Sequence, residues 1–95
     1  MGSARPKPRR LAEKLLQIRN NLEGGISQNE LVLRMNLENE LGQERISKYE
    51  RGILEPPLHV LCAYADVANV YVELIIRDDL DIPQQLPSKL KKTLY

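Results

Sequence analysis

Phenylalanine and tryptophan are absent from these 95 residues, and four tyrosines are the whole aromatic content. A core must therefore be assembled mainly from Leu, Ile, Val and Ala. A single cysteine, Cys62, excludes a disulfide framework and leaves nothing to argue for an oxidising compartment. The single histidine, His59, has no cysteine or acidic partner at ligand spacing, so the chain offers neither a metal site nor a credible general base. A glycine-rich phosphate loop is also missing, so the expectation is no enzyme, no cofactor and no small-molecule substrate. Long apolar runs are lacking, as is the apolar centre of a signal peptide, which predicts a cytoplasmic protein without a membrane partner.

Charge of one sign is scarce too, because 14 Lys and Arg against 13 Asp and Glu give a net +1. That balance is poor evidence for nucleic acid by itself. Its distribution is uneven: residues 1–52 hold ten basic against seven acidic side chains, and residues 53–95 hold four against six. A basic half that meets a polyanion and the ordinary scatter of surface charge both accommodate this.

What is present is helical. Pro and Gly punctuate segments of helix length, strand-like alternation is scarce, and the length suits one small core, so a single all-α domain is expected. The stretch that organises it is Gln43-Glu44-Arg45-Ile46-Ser47-Lys48-Tyr49-Glu50-Arg51-Gly52. Ile46 and Tyr49, three apart, make an apolar side, while Gln43, Glu44, Ser47, Lys48 and Arg51 fall on the other. Gly52 suits the left-handed position after a helix end, and Pro56-Pro57 follows as a stop. Upstream, Ser27 and Glu30 have the spacing of a capping box, and Leu31, Val32 and Met35 give the helix they open a packed stripe.

Two short amphipathic helices in tandem, the second ending Tyr-Glu-Arg-Gly, resemble the helix-turn-helix of the lambda-repressor-like (Cro/cI, or xenobiotic-response-element) transcription regulators. In that resemblance Ser27-Gln28 opens the first motif helix, where the glutamine contacts a phosphate, Leu31 and Met35 hold core positions, and Val32 stands where alanine is usual. Ile46 matches the recognition helix's aliphatic residue, and Tyr49-Glu50-Arg51-Gly52 its hydrophobe-Glu-Arg-Gly ending. The resemblance runs over roughly residues 10–82, through Pro57, Leu58, Leu61, Ala65, Val67, Ala68, Val70, Val72 and Leu74. It implies a compact five-helix domain in which Gln43, Glu44, Ser47 and Lys48 face base edges. It also implies that Arg19 pairs with Glu50, and a planar guanidinium is the cation fitted to hold a carboxylate bidentately.

The connection from Leu31 to Ile46 is about four residues longer than the family's, mostly in Asn36-Leu37-Glu38-Asn39-Glu40-Leu41-Gly42. Asn36 replaces the usual glycine of the turn, but Asn tolerates a positive φ. Leu37 and Leu41 are placed to tuck the connection onto the core.

Residues 1–9 carry prolines and basic residues without an apolar anchor. Two readings stand for this arm, contact with DNA phosphates or minor groove through residues such as Arg9 and Arg10, and a solubilising tail. A first helix is expected from near Pro8 to Leu22 with Leu11, Leu15, Ile18 and Leu22 inward, and Glu23-Gly24-Gly25 as the loop after it. A fourth is expected over Leu58–Ala68 with Leu58, Leu61, Cys62, Ala65 and Ala68 inward, Cys62 as a small buried hydrophobe and His59 on an exposed edge. A fifth is expected over Tyr71–Asp78; its aliphatic surplus at Val72, Leu74, Ile75 and Ile76 signals either a dimer contact or burial within the monomer. The acidic Asp78-Asp79-Leu80-Asp81 should face away from DNA. Residues 83–95, with Leu86, Leu90 and Leu94 every four residues amid Lys89, Lys91 and Lys92, form a short docked helix or a disordered tail.

The function implied is a sequence-specific double-stranded DNA-binding transcriptional regulator, by expectation a repressor, acting as a homodimer on an inverted repeat. In a major groove Gln43 suits adenine, Lys48 guanine and Glu44 cytosine. Ser27, Gln28, Arg45, Arg51, Arg9 and Arg10 would hold phosphates. Glu44 opposes the backbone's charge unless Arg45 or Lys48 holds it. The competing reading is a helical protein-interaction module, such as an antitoxin or adaptor, which the near-neutral charge and the longer turn favour.

Overall fold

Helix α1, Leu11–Asn21, starts a little later than Pro8 because its first turn is capped from far along the chain: Asp78 accepts from the Arg9 and Arg10 amides at 2.9 and 3.0 Å. This computed structural model describes residues 8–87, so most of the basic arm and the Leu90 and Leu94 stripe lie outside the described residues. Leu11, Lys14, Leu15 and Ile18 form the inward face of α1, and Leu22 continues it into a single 3-10 turn, Leu22–Gly24. There Glu23, Gly24 and Gly25 all take positive φ, and the two glycines let the chain reverse at little steric cost.

Helix α2, Gln28–Arg34, opens where expected, with Ser27 Oγ accepting the Glu30 amide at 3.0 Å. It ends at Met35, and Asn36 takes φ 61°. The lengthened connection is one extra turn. Leu41 N donates to Leu37 O at 2.9 Å, Leu37 is half-buried and Leu41 buried, so both leucines anchor it on the core. Helix α3, Gln43–Glu50, then buries Ile46 completely and all but 1% of Tyr49.

Helix α4 occupies the expected Leu58–Ala68, but its buried face is rotated. Val60, Leu61, Tyr64, Ala65 and Ala68 are inside, whereas Leu58 and Cys62 are exposed. The apolar residues go most of the way round this helix, so its period admits either face; burying Tyr64 and Val60 removes more apolar surface from water than burying Cys62 and Leu58. Helix α5 is a single turn, Glu73–Ile76, shorter than the expected Tyr71–Asp78. It stops because Lys14 Nζ donates to Leu74 O and Arg77 O at 2.7 and 2.5 Å, satisfying carbonyls that a longer helix would have bonded, and Asp78 is diverted to α1.

Three helix ends share one geometry. After α2, α3 and α4 the residues Asn36, Gly52 and Asn69 take φ 61°, 75° and 62°. The amide beyond each reaches back across the last turn, Leu37 N to Val32 O at 3.2 Å, Ile53 N to Lys48 O at 3.0 Å and Val70 N to Ala65 O at 3.0 Å. This is the Schellman arrangement, which ends a helix and satisfies its last carbonyls. The result is an all-α domain of five α-helices with no strand among the described residues, in which α1 packs on α3, α4 and α5 and α2 on α3. No helix among them is long and apolar enough to cross a membrane.

Candidate nucleic-acid interface

The orientation of α3 is set from its buried end. Arg19 Nε and Nη2 donate to the two oxygens of Glu50 at 2.6 and 3.0 Å, a bidentate pair between α1 and the last turn of α3. Arg19 Nη1 also holds Ile26 O at 2.8 Å, so one guanidinium ties together α1, the loop before α2 and α3. Glu50 is further held by Gln28 Nε2 at 3.1 Å. Its side chain is only 6% exposed, and three donors compensate the carboxylate for the water it has lost. The hydroxyls of Tyr49 and Tyr64 are buried without a hydrogen-bond partner among the described residues. Burial, and after it the negative charge of Glu50, push the Tyr64 hydroxyl's pKa up.

With Ile46 and Tyr49 anchored, the opposite side of α3 is left in solvent. Gln43, Glu44, Arg45 and Lys48 are exposed and Ser47 half-buried. Arg51 lies on the same flank, its Nε donating to Ser47 Oγ at 3.1 Å and Ser47 O at 3.3 Å. Ser47 therefore already serves Arg51. At the start of α3, Gly42 is a cap without a side chain, and Glu44 Oε1 comes within 3.4 Å of where a Cβ on Gly42 would sit. That places the carboxylate beside the N-terminal end of α3, the end whose dipole favours a negative charge.

Other expected phosphate contacts have internal partners. Gln28 points inward to Glu50, as described. Arg10 donates to Asp78 O, Leu80 O and Asp81 Oδ1 at 2.9, 3.2 and 2.7 Å, so its guanidinium is wrapped by the acidic segment. Ser27 Oγ is used as a helix cap. Arg34, not singled out from sequence, is bound by Glu23 at 2.8 and 2.9 Å and by Glu30 at 3.1 Å. The ring of His59 meets Glu40 of the longer connection.

Sequence reasoning also missed Lys14, which is fully buried and clamps α5 to α1. The signal was there: Lys14 sits three residues after Leu11 and four before Ile18, inside the apolar stripe. Desolvation, then the nearby charge of Arg10, draw its pKa below the usual lysine range. Gln17 extends the same face by donating to Ile82 O at 3.1 Å.

A cleft of about 140 Å³ lies between the start of α1 and the end of α3, among Arg9, Leu11, Ala12, Tyr49 and Leu54. Among the described residues no group of three His, Cys, Asp or Glu side chains is arranged to hold a metal ion. The chain matches no protein-family model, no curated protein and no solved structure.

Proposed function

We propose that this chain is a sequence-specific double-stranded DNA-binding regulator of the lambda-repressor-like helix-turn-helix kind, in which α2 and α3 are the two helices of the motif. The observation that carries this reading is α3 itself. Its apolar side is fully buried and tethered by Arg19 and Glu50, while its other side presents Gln43, Glu44, Arg45 and Lys48 to solvent. A helix held rigidly at one face with amide, carboxylate and ammonium groups on the other is equipped for the paired hydrogen bonds that distinguish base pairs in a major groove. Gln43, Glu44, Ser47 and Lys48 are the base-reading side chains in this proposal, with Arg45 and Arg51 on phosphates. So few base contacts from one helix supply too little affinity, so the working form is a homodimer on an inverted repeat with half-sites roughly 34 Å apart. Repression is the simplest regulatory outcome for a bound dimer, and the cytoplasm its place of action.

A second reading has support of its own. Arg10, Arg19 and Arg34 are bound by acidic side chains of the chain itself, which reduces the free cationic surface among the described residues. A protein-interaction module, an antitoxin or adaptor, needs no more. Titrating random duplex by gel shift at two salt concentrations separates the two, because phosphate neutralisation releases counterions and makes affinity fall as salt rises. Salt-independent or undetectable binding sinks the DNA reading.

A further inference from the structure

We propose that Ile53 is the positioning residue of Lys48: its side chain carries the aliphatic stem of that lysine and so sets where the ammonium stands on the exposed flank of α3. The inference deepens the DNA-binding reading given above and rests on it for what the ammonium meets.

The three Schellman ends provide the comparison. In this motif a hydrophobic contact commonly joins the residue beyond the left-handed one to the residue whose carbonyl its amide reaches. The pairs so placed are Leu37 with Val32 after α2, Val70 with Ala65 after α4, and Ile53 with Lys48 after α3. In the first two both members are apolar and at least half-buried. In the third, Ile53 is 60% exposed and its partner is an exposed lysine. An ammonium stays in water, but the stem behind it is hydrocarbon and lies along apolar surface. The contact that is buried after α2 and α4 is therefore replaced after α3 by one at the surface that ends in a charge.

The backbone makes Ile53 a fixed support. Its amide and that of Leu54 both donate to Lys48 O, at 3.0 and 3.3 Å, so Ile53 is fastened beside the last turn of α3. Branching at its Cβ then restricts the side chain to few rotamers.

No described polar group competes for Lys48. The guanidiniums of Arg10, Arg19, Arg34 and Arg77 are each held by a carboxylate, whereas the Lys48 ammonium has no hydrogen bond or ion pair among the described residues. Glu44, at the four-residue spacing that suits a lysine, lies beside Gly42 at the other end of α3. Arg51 is turned onto Ser47. The part of Lys48 that the fold can hold is thus its stem. A stem already ordered loses less freedom when the ammonium meets a guanine edge, so Ile53 adds to discrimination without touching a base.

Nuclear Overhauser spectra of the full chain without DNA test the contact, and gel shifts test its use. Contacts between the Ile53 methyls and the Lys48 methylenes should be present in the parent. On a selected site, Ile53→Ser should lower discrimination at the base pair read by Lys48 about two- to tenfold, with unchanged helicity and unchanged affinity for random duplex, and Ile53→Leu should restore it. In a Lys48→Ala background Ile53→Ser should have no further effect on discrimination, which a merely structural role for Ile53 would not produce. Absent Overhauser contacts overturn the proposal, as does an Ile53→Ser loss of the same size with and without Lys48. Failure of the DNA reading shows separately, as a chain that binds no duplex, and the spectra then still decide whether Ile53 holds Lys48.

Discussion

At the scale of single residues, the placement of α3 turns on one buried carboxylate. Glu50 has exchanged water for Arg19 and Gln28, so replacing Arg19 leaves a charge that is 6% exposed with one neutral donor. Arg19→Ala should cost about 3 kcal/mol, while Arg19→Lys, which lacks the planar fork, should recover part of that. Urea denaturation followed by circular dichroism measures both, and a loss below about 0.5 kcal/mol, the scale of an exposed pair, would show that Glu50 is not held as described. Asp78 gives a prediction in pH. Hydrogen bonds from the Arg9 amide, then the Arg10 amide, hold its carboxyl below the usual range in the folded chain. A depressed folded pKa means the stabilisation is complete above the unfolded value near 3.9 and is lost as pH falls through the folded value. The parent should therefore lose thermal stability as pH drops below about 4, and Asp78→Asn should be less stable near neutrality with a flatter acid limb. The flattening is partial, because Asp79 and Glu23 are also held low, by Arg77 and Arg34. An acid limb as steep as the parent's would remove Asp78 as the long-range cap.

At the scale of elements, what could be read from sequence was what neighbours along the chain decide. The N-cap at Ser27, the left-handed turn at Asn36, the stop at Gly52 and the span of α4 each depend on contacts within a few residues. What could not be read depends on residues far away in the chain. The length of α5 is set by Lys14 and the first turn of α1 by Asp78, partners some sixty residues or more apart, and no periodicity carries that information. The rotation of α4 is an intermediate case: Leu61, Ala65 and Ala68 are inside on either reading, and only competition between Tyr64 and Cys62 for the core chooses the face. For the candidate site, the exposed flank of α3 follows from its local pattern, but the commitment of Gln28 and Arg10 to internal partners does not. Gly52 offers an element-scale test. A Cβ there would lie 3.6 Å from the Ala12 Cβ, an ordinary contact, so the cost of Gly52→Ala is that of a non-glycine residue at φ 75°. About 1 kcal/mol of destabilisation is expected in thermal unfolding. A much larger loss would mean α1 and α3 meet more tightly at that point.

At the scale of the whole molecule, the charge budget predicts how DNA binding would divide among side chains. A net charge of +1, with several cations tied to acidic partners, leaves Arg45, Lys48 and Arg51 as the exposed basic groups in and just after α3. Non-specific affinity should therefore be weak and its salt dependence shallow, since each neutralised phosphate contributes about 0.9 to the logarithmic slope. Lys48 and Arg51 then separate two roles on one helix. Lys48→Ala removes a donor suited to guanine, so it should relax preference at one base pair by about 1 to 3 kcal/mol in competition between a selected site and its single-base variants. Arg51 is directed by Ser47 along the helix edge, so Arg51→Ala should weaken the selected site and random duplex by the same factor and lower the salt slope by about one. Gel-shift titrations of both variants on both duplexes at two salt concentrations yield all four quantities. Equal losses from Lys48→Ala on selected and random duplex would assign it to the backbone, and leave Gln43, Glu44 and Ser47 as the proposed base-reading side chains of α3.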